Sequence, residues 1–342
     1  MKKLTFKALV LEGKRKLEIR EVEFNNKLKK NQVLVKIYFS GICGKQIEEF
    51  THQKGLDKFL PHFLGHEGSG KIVRVGAGVR NVKVGDAVVL HWMKNSSIID
   101  SETPKFKYKN SNKNINAGWI TTFSEYSVIS SNRVTKINSN VDLRLAALMG
   151  CCLSTGIGTV LNQSRISKQD NPLVVGCGGV GLSVIIGLKL INQRKISAAD
   201  IKENNLQKAK MLGATNLIKL PKKNKKNYFN KVFISTGSKK AIEAALSLAS
   251  PKSDIYFIGV PSPKDKIKVK PFEIHNGKKF HPSSGGNIKP NKDIPLYIKK
   301  MNLNKSVIDN FVINQVSLSN AKKIIIAMSK GKLNHGRNLI KM

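Results

Sequence analysis

The sequence predicts an α/β protein in which a compact β-rich domain is joined to a doubly wound parallel sheet. Three observations lead there. Residues 1 to about 95 read as short strands set apart by glycine turns. From about residue 171, strand and helix signals alternate in regular succession. At 342 residues, the chain also exceeds what one ordinary hydrophobic core organises.

In the first region, Val33-Leu34-Val35-Lys36-Ile37 is a strand signal, and Lys71 to Val75 alternates polar and apolar residues before Gly76-Ala77-Gly78. Gly85-Asp86 opens the apolar run Ala87 to Leu90. Strands this closely spaced predict a partly closed β-rich domain. Residues 94 to 117 are dominated by Lys, Asn and Ser and are expected to form a long surface excursion. In the second region, Leu173-Val174-Val175 is an uninterrupted apolar strand, followed by a glycine turn and a buried helix from Leu182 to Ile191. Lys195 to Ala199, closed by Asp200, is the next strand, and Val232-Phe233-Ile234 another. A helix over Ala241 to Ala249 and a strand over Ile255 to Gly259 complete the pattern. Strand, helix and strand in repetition predict a parallel sheet with helices on its faces. From about residue 290 the chain returns to mixed short elements. The expected division is therefore discontinuous, with residues 1–151 and 290–342 in one domain and residues 152–289 in the other.

Composition narrows the function classes. Hydrophobic residues make up 40% and aromatics 6%, a balance that builds cores rather than disorder. No stretch approaches about eighteen consecutive apolar residues, so no membrane span is expected. The opening segment is interrupted by Lys7 and alternates like a strand, which argues against a signal peptide. Four cysteines, two of them adjacent at Cys151 and Cys152, do not make a disulfide scaffold. They predict a reduced, cytoplasmic protein. The net charge is +38, from 60 Lys+Arg against 22 Asp+Glu. The lysines are spread along the chain, thickening only at Lys222 to Lys226, and few aromatics are interleaved. The charge is thus read as compositional, or as steering for an anionic substrate, and not as specific nucleic-acid binding.

Gly176-Cys177-Gly178-Gly179-Val180-Gly181 matches G-x-G-x-x-G. It follows an apolar strand, opens a helix, and has an acid nineteen residues beyond Gly181, at Asp200. Together these predict a dinucleotide site. Gly176 permits the tight turn, Gly178 lets backbone approach a pyrophosphate, and Gly181 lets helix and strand pack closely. Gly179 and Val180 place the phosphates at the positive end of the helix. Asp200 accepts from the ribose hydroxyls and repels a 2′-phosphate, so NAD is expected over NADP, although Lys202 is near.

A second constellation is Gly41-Ile42-Cys43-Gly44, Gly65-His66-Glu67-Gly68 and Gly150-Cys151-Cys152. Two thiolates and an imidazole make a three-ligand zinc set with one position left open, as catalysis requires. Spacings of 23 and 85 residues do not establish such a set, and a lone His in a glycine-rich turn is commonly structural. Over essentially its whole length, however, the chain resembles the zinc-containing, medium-chain alcohol dehydrogenase family. The matching pieces are Gly-Ile-Cys-Gly at 41–44, Gly-His-Glu-Gly at 65–68 and Gly-Asp at 85–86. They continue with Cys-x-x-Ser-Thr-Gly at 151–156, the glycine turn at 176–181 and Gly-Arg at 336–337.

The resemblance implies a GroES-like catalytic domain and a Rossmann domain, with one catalytic Zn2+ held by Cys43, His66 and Cys151. Glu67 would stand behind or beside the metal. Thr155 would line the nicotinamide site, and Arg337 would pair with the cofactor pyrophosphate. Cys152 is expected to be a small buried neighbour. The implied activity is hydride transfer between NAD(H) and a small alcohol, polyol or sugar-like substrate, or the matching carbonyl compound, in a homo-oligomer.

The chain departs from the family pattern at three points. Residues 92 to 117 lack the four cysteines of a structural zinc lobe, so one metal per chain is expected. Lys45 replaces the usual Ser or Thr that passes on the substrate proton. It could take that proton as an amine, grip a polar substrate as a cation, or simply be solvated near the cofactor. Gln46 replaces the Asp that orients the ligand histidine, and its amide oxygen could do the same. Two other functions remain open: a zinc-free NAD(P)H-dependent reductase on this scaffold, and a basic binding protein without catalysis.

Overall fold

The computed structural model describes residues 3–25, 27–53, 55–95, 98–221, 229–301, 309, 311–333 and 337–342. Lys222 to Lys226 and Gly336 lie outside them. Strand β1 (Leu4–Gly13) pairs antiparallel with β2 (Lys16–Phe24), placing Leu9 opposite Ile19. With β4 (His62–Phe63), β7 (Lys105–Tyr108) and β8 (Asn114–Asn116), they close a barrel in the order β1-β2-β7-β8-β4.

The barrel corrects the expectation for residues 94 to 117. That stretch supplies two barrel strands, and the central apolar side chain of each points inward. Phe106 and Ile115 are buried, and Phe106 stacks on Phe63 with ring centroids 4.7 Å apart. The abundance of Lys and Asn conceals a period-2 alternation, visible in Lys105-Phe106-Lys107-Tyr108, that leaves only one face polar.

A second sheet runs β10-β6-β5-β3-β18-β17, with β9 (Tyr126–Ser130) also on β3. Its centre is β3 (Gln32–Ile42), flanked by β5 (Glu67–Val75) and the C-terminal β18 (Arg337–Lys341). Beyond them lie β6 (Ala87–His91), β10 (Val134–Lys136) and β17 (Val312–Ser317).

The third sheet is wholly parallel, in the order β13-β12-β11-β14-β15-β16. It is made of β11 (Pro172–Val175), β12 (Ser197–Asp200), β13 (Asn216–Lys219), β14 (Phe229–Ile234), β15 (Ala249–Phe257) and β16 (Lys279–Pro282). Strand order reverses beside β11, and the carboxyl end of that strand is where an open α/β sheet leaves a ligand crevice. One core joins the second and third sheets. Leu145, Leu148 and Leu339 join Leu182, Ile185, Phe233 and Tyr297 in a single buried cluster. The elements that carry the two sequence constellations are therefore packed on shared apolar contacts. Among the described residues, no helix is long and apolar enough to cross a membrane.

Candidate active site

Register assembles the site. Cys43 follows the last residue of β3, His66 precedes the first of β5, and Arg337 opens β18. β3 is antiparallel to both neighbours, with Ser40 opposite Gly68 and Ile42 opposite Asn338. All three residues therefore meet at one end of the sheet. Cys151 arrives from the other side, as the N-cap of helix α3 (Cys152–Gly158), and the Cys152 N–H donates to Glu67 Oε2 at 3.1 Å.

One ligand atom from each of Cys43, His66 and Cys151 lies within 4.8 Å of the others. A tetrahedral zinc site needs sulfur and nitrogen atoms about 3.5–3.8 Å apart, so the cluster fits a metal with slight contraction. The donor chemistry fits as well: two soft sulfurs and an imidazole suit zinc. The three residues are half-buried, while Glu67 behind them is fully buried and its Oε1 has no hydrogen-bond partner.

The electrostatics bias Cys43, and not its two companions, toward the anionic form a metal takes. The Cys151 thiol donates to Cys43 and, with the Arg337 and His66 charges, holds Cys43 well below the ordinary thiol range despite burial. Cys151 goes the other way, because it gives that hydrogen bond and is itself desolvated. For His66, burial favours the neutral ring, but the hydrogen bond and charge of Cys43 outweigh it and raise its affinity for a proton. Burial raises Glu67, with Arg337 opposing. Burial pushes Cys152 up to about 12, so it stays a thiol.

The glycine turn lies between β11 and helix α4 (Gly179–Leu190). Gly176 has φ of +86°, in the region only glycine enters freely. A Cβ on Gly181 would collide with the Gly176 carbonyl oxygen. Gly178 is the N-cap, and Val180 packs in the first turn against the shared core. Asp200 closes β12, and Oδ2 accepts from the Cys177 N–H at 2.7 Å and from Asn205 at 3.2 Å. Its Oδ1 accepts from the Lys202 N–H at 2.8 Å. Thr155 is buried on α3. Arg337 joins the two constellations. Its Nε would be 3.0 Å from a Cβ on Gly179, and the same atom lies 3.6 Å from Glu67 Oε1. Its Nη1 donates to the Ile42 carbonyl at 3.2 Å.

Two family models match: an alcohol dehydrogenase GroES-like domain over residues 29–139 and a zinc-binding dehydrogenase over residues 179–302. The chain is 28% identical to alcohol dehydrogenase 6 of Rattus norvegicus, over 92% of each chain. It is 27% identical to S-(hydroxymethyl)glutathione dehydrogenase of Photobacterium damsela subsp. piscicida, over 92% of this chain and 94% of that one. The crystal structure of benzyl alcohol dehydrogenase from Acinetobacter calcoaceticus superposes with a TM-score of 0.86 at 24% identity, covering 100% of both chains. The chain belongs to the zinc-containing medium-chain alcohol dehydrogenase family. It is an oxidoreductase of that family, with GroES-like and Rossmann-like parts.

The family's usual companions of the metal are altered here. Lys45, in the first turn of helix α1 (Gly44–Thr51), reaches Glu48 Oε2 at 3.0 Å. Gln46 is buried and presents its amide nitrogen, not its oxygen, to His66, with Nε2 2.7 Å from Nδ1. The oxygen is already taken, because Gln46 Oε1 accepts from the Cys43 N–H at 2.9 Å as part of the helix cap. This differs from the expected amide-oxygen contact.

Sequence reasoning overlooked Glu48 and Glu49. Glu48 pairs with Lys45, and burial raises the proton affinity of Glu49 while His66 opposes that. Lys45, Glu48, Glu49, His52 and Asp57 line a cavity of about 200 Å3. The one-turn spacing from Lys45 to Glu48 was the available signal. His281 bonds Asp254 at 2.7 Å and stacks on Tyr256. A larger groove of about 640 Å3, between Phe24 and Trp119, shares no residue with the Cys43, His66 and Cys151 cluster.

Proposed function

We propose that the protein is an NAD-dependent, zinc-containing dehydrogenase that moves a hydride between a small alcohol, polyol or sugar-like substrate and the nicotinamide. The carrying observation is the convergence of Cys43, His66 and Cys151, tied through Arg337 to the first residue of the nucleotide-binding helix. Zinc held by these three side chains would supply a Lewis acid beside the substrate oxygen. Cys43, already biased to thiolate, is the readiest anionic ligand.

The rest is done by the chain. The amide groups at the start of α4 bind the pyrophosphate at a helix N-terminus, and the Arg337 guanidinium stands beside them. Asp200, at the carboxyl end of β12, holds the adenosine ribose and disfavours a 2′-phosphate. Thr155 lines the nicotinamide side, and the buried wall around Glu67 keeps water from the reacting carbon. Lys45, held by Glu48, meets the polar end of the substrate as a cation. One metal per chain is part of this proposal.

The test is a screen for NAD reduction over alcohols, polyols, amino alcohols and sugars, with and without a chelator, on protein whose zinc content has been measured. Chelator-sensitive turnover with NAD supports the assignment. Turnover that survives complete metal removal would instead select a zinc-free reductase.

A further inference from the structure

The Gln46 amide has one acceptor and two claimants. In the structure Oε1 takes the Cys43 N–H at 2.9 Å, and Nε2 gives a hydrogen to His66 Nδ1 at 2.7 Å. An amide NH2 can only donate, so Nδ1 must offer its lone pair. Nδ1 is turned to Gln46, and the nitrogen left to face Cys43 and Cys151 is Nε2. With Nδ1 accepting, a neutral His66 carries its proton on Nε2, the very atom that must give its lone pair to a metal.

Metal binding demands the opposite arrangement. The Nε2 proton leaves to solvent, Nδ1 takes one up, and the imidazole stays neutral. The new Nδ1–H then needs an acceptor, as metal-bound histidines ordinarily have. Gln46 can supply it only by a half-turn of its amide, which turns NH2 toward the Cys43 N–H and breaks the helix cap. Gln46 is 1% exposed, so water does not readily fill the vacated place.

Resting on the metal-site assignment above, we propose that Gln46 is a positioning residue that weakens and gates metal loading, holding His66 in a tautomer unable to ligate until the amide reverses. A carboxylate of the same length accepts from both claimants at once, so Gln46→Glu removes the conflict without changing shape.

The experiment uses the full chain. Zinc affinity is measured by competition with a chromophoric chelator, and the His66 tautomer is read by long-range 15N–1H NMR with and without zinc. Assignment among the seven histidines is made with a His66→Gln variant. Gln46→Glu is expected to bind zinc about tenfold to a hundredfold more tightly, the range typical of groups that orient a metal's ligands. Metal-free wild type is expected to carry the His66 proton on Nε2, and the zinc form on Nδ1. An Nδ1–H signal already present in metal-free wild type overturns the proposal, as does unchanged or weaker affinity in folded Gln46→Glu. The NMR arm needs only wild type, so it stands even if the variant does not fold. Failure of wild type to retain zinc at all overturns both this proposal and the functional assignment, whereas zinc binding indifferent to residue 46 overturns this proposal alone.

Discussion

Arg337 and Glu67 face each other behind the ligand cluster, Nε to Oε1 at 3.6 Å, 5% and 0% exposed respectively. Neither atom has a hydrogen-bond partner among the described residues. The contact is thus a buried charge pair held by packing, and the Arg337 charge also favours the anionic form of Cys43.

Breaking that pair from one side leaves a buried charge uncompensated. Arg337→Met is expected to cost about 3–5 kcal/mol in denaturant unfolding of the metal-free chain. The double variant Glu67→Gln, Arg337→Met should cost clearly less than the two single costs added together. Additive costs would show that the two residues are not coupled.

His91 is expected to make the fold sensitive to acid. It is fully buried at the end of β6, with Nδ1 2.5 Å from the Met93 carbonyl and Nε2 2.9 Å from the Thr135 hydroxyl. Burial lowers it from an ordinary 6.5 to about 4. A depressed value means that the unfolded chain takes up the proton first. The stability His91 contributes is whole above pH 6.5 and is lost as pH falls toward 4, to a total of about 3 kcal/mol. In metal-free protein, His91→Asn should flatten the stability profile across that window. An unchanged slope would mean that other groups carry the acid sensitivity.

Lys45 is held by Glu48, and an ammonium has no lone pair with which to take an alcohol proton. Lys45→Thr is therefore expected to raise KM for polar substrates several-fold and to leave the shape of the pH–rate profile of kcat intact. A displaced profile would assign Lys45 to proton transfer after all.

Asp200 is engaged by two backbone N–H groups and Asn205, so it is positioned before any cofactor arrives. Asp200→Ala is expected to weaken NAD binding about tenfold to a hundredfold, the value of hydrogen bonds to a charged group. It should also narrow the preference over NADP. Fluorescence titration of both cofactors checks this, and an unaltered NAD affinity would remove Asp200 from the ribose site.

Much of this was legible without coordinates, and the particular residues show why. Gly176 and Gly181 announce their turn because backbone geometry and close packing there depend on a few adjacent positions. Leu173 to Val175 and the helix after them are likewise local, since periodicity is written into contiguous residues. Phe106 and Ile115 were harder to see, because their Lys- and Asn-rich setting looks like a loop until the barrel closes over them.

The sequence by itself determined the alternation of strands and helices, the glycine turn and the inventory of sulfur and imidazole ligands. These follow from side-chain period, backbone sterics and donor chemistry. Tertiary structure alone decided that Cys43, His66 and Cys151 share one corner, that Arg337 bridges Glu67 and Gly179, and that Gln46 spends its one oxygen on Cys43. The reason is physical: each of these depends on strand register or on competition for a hydrogen bond between segments far apart in the chain, and no local pattern encodes either.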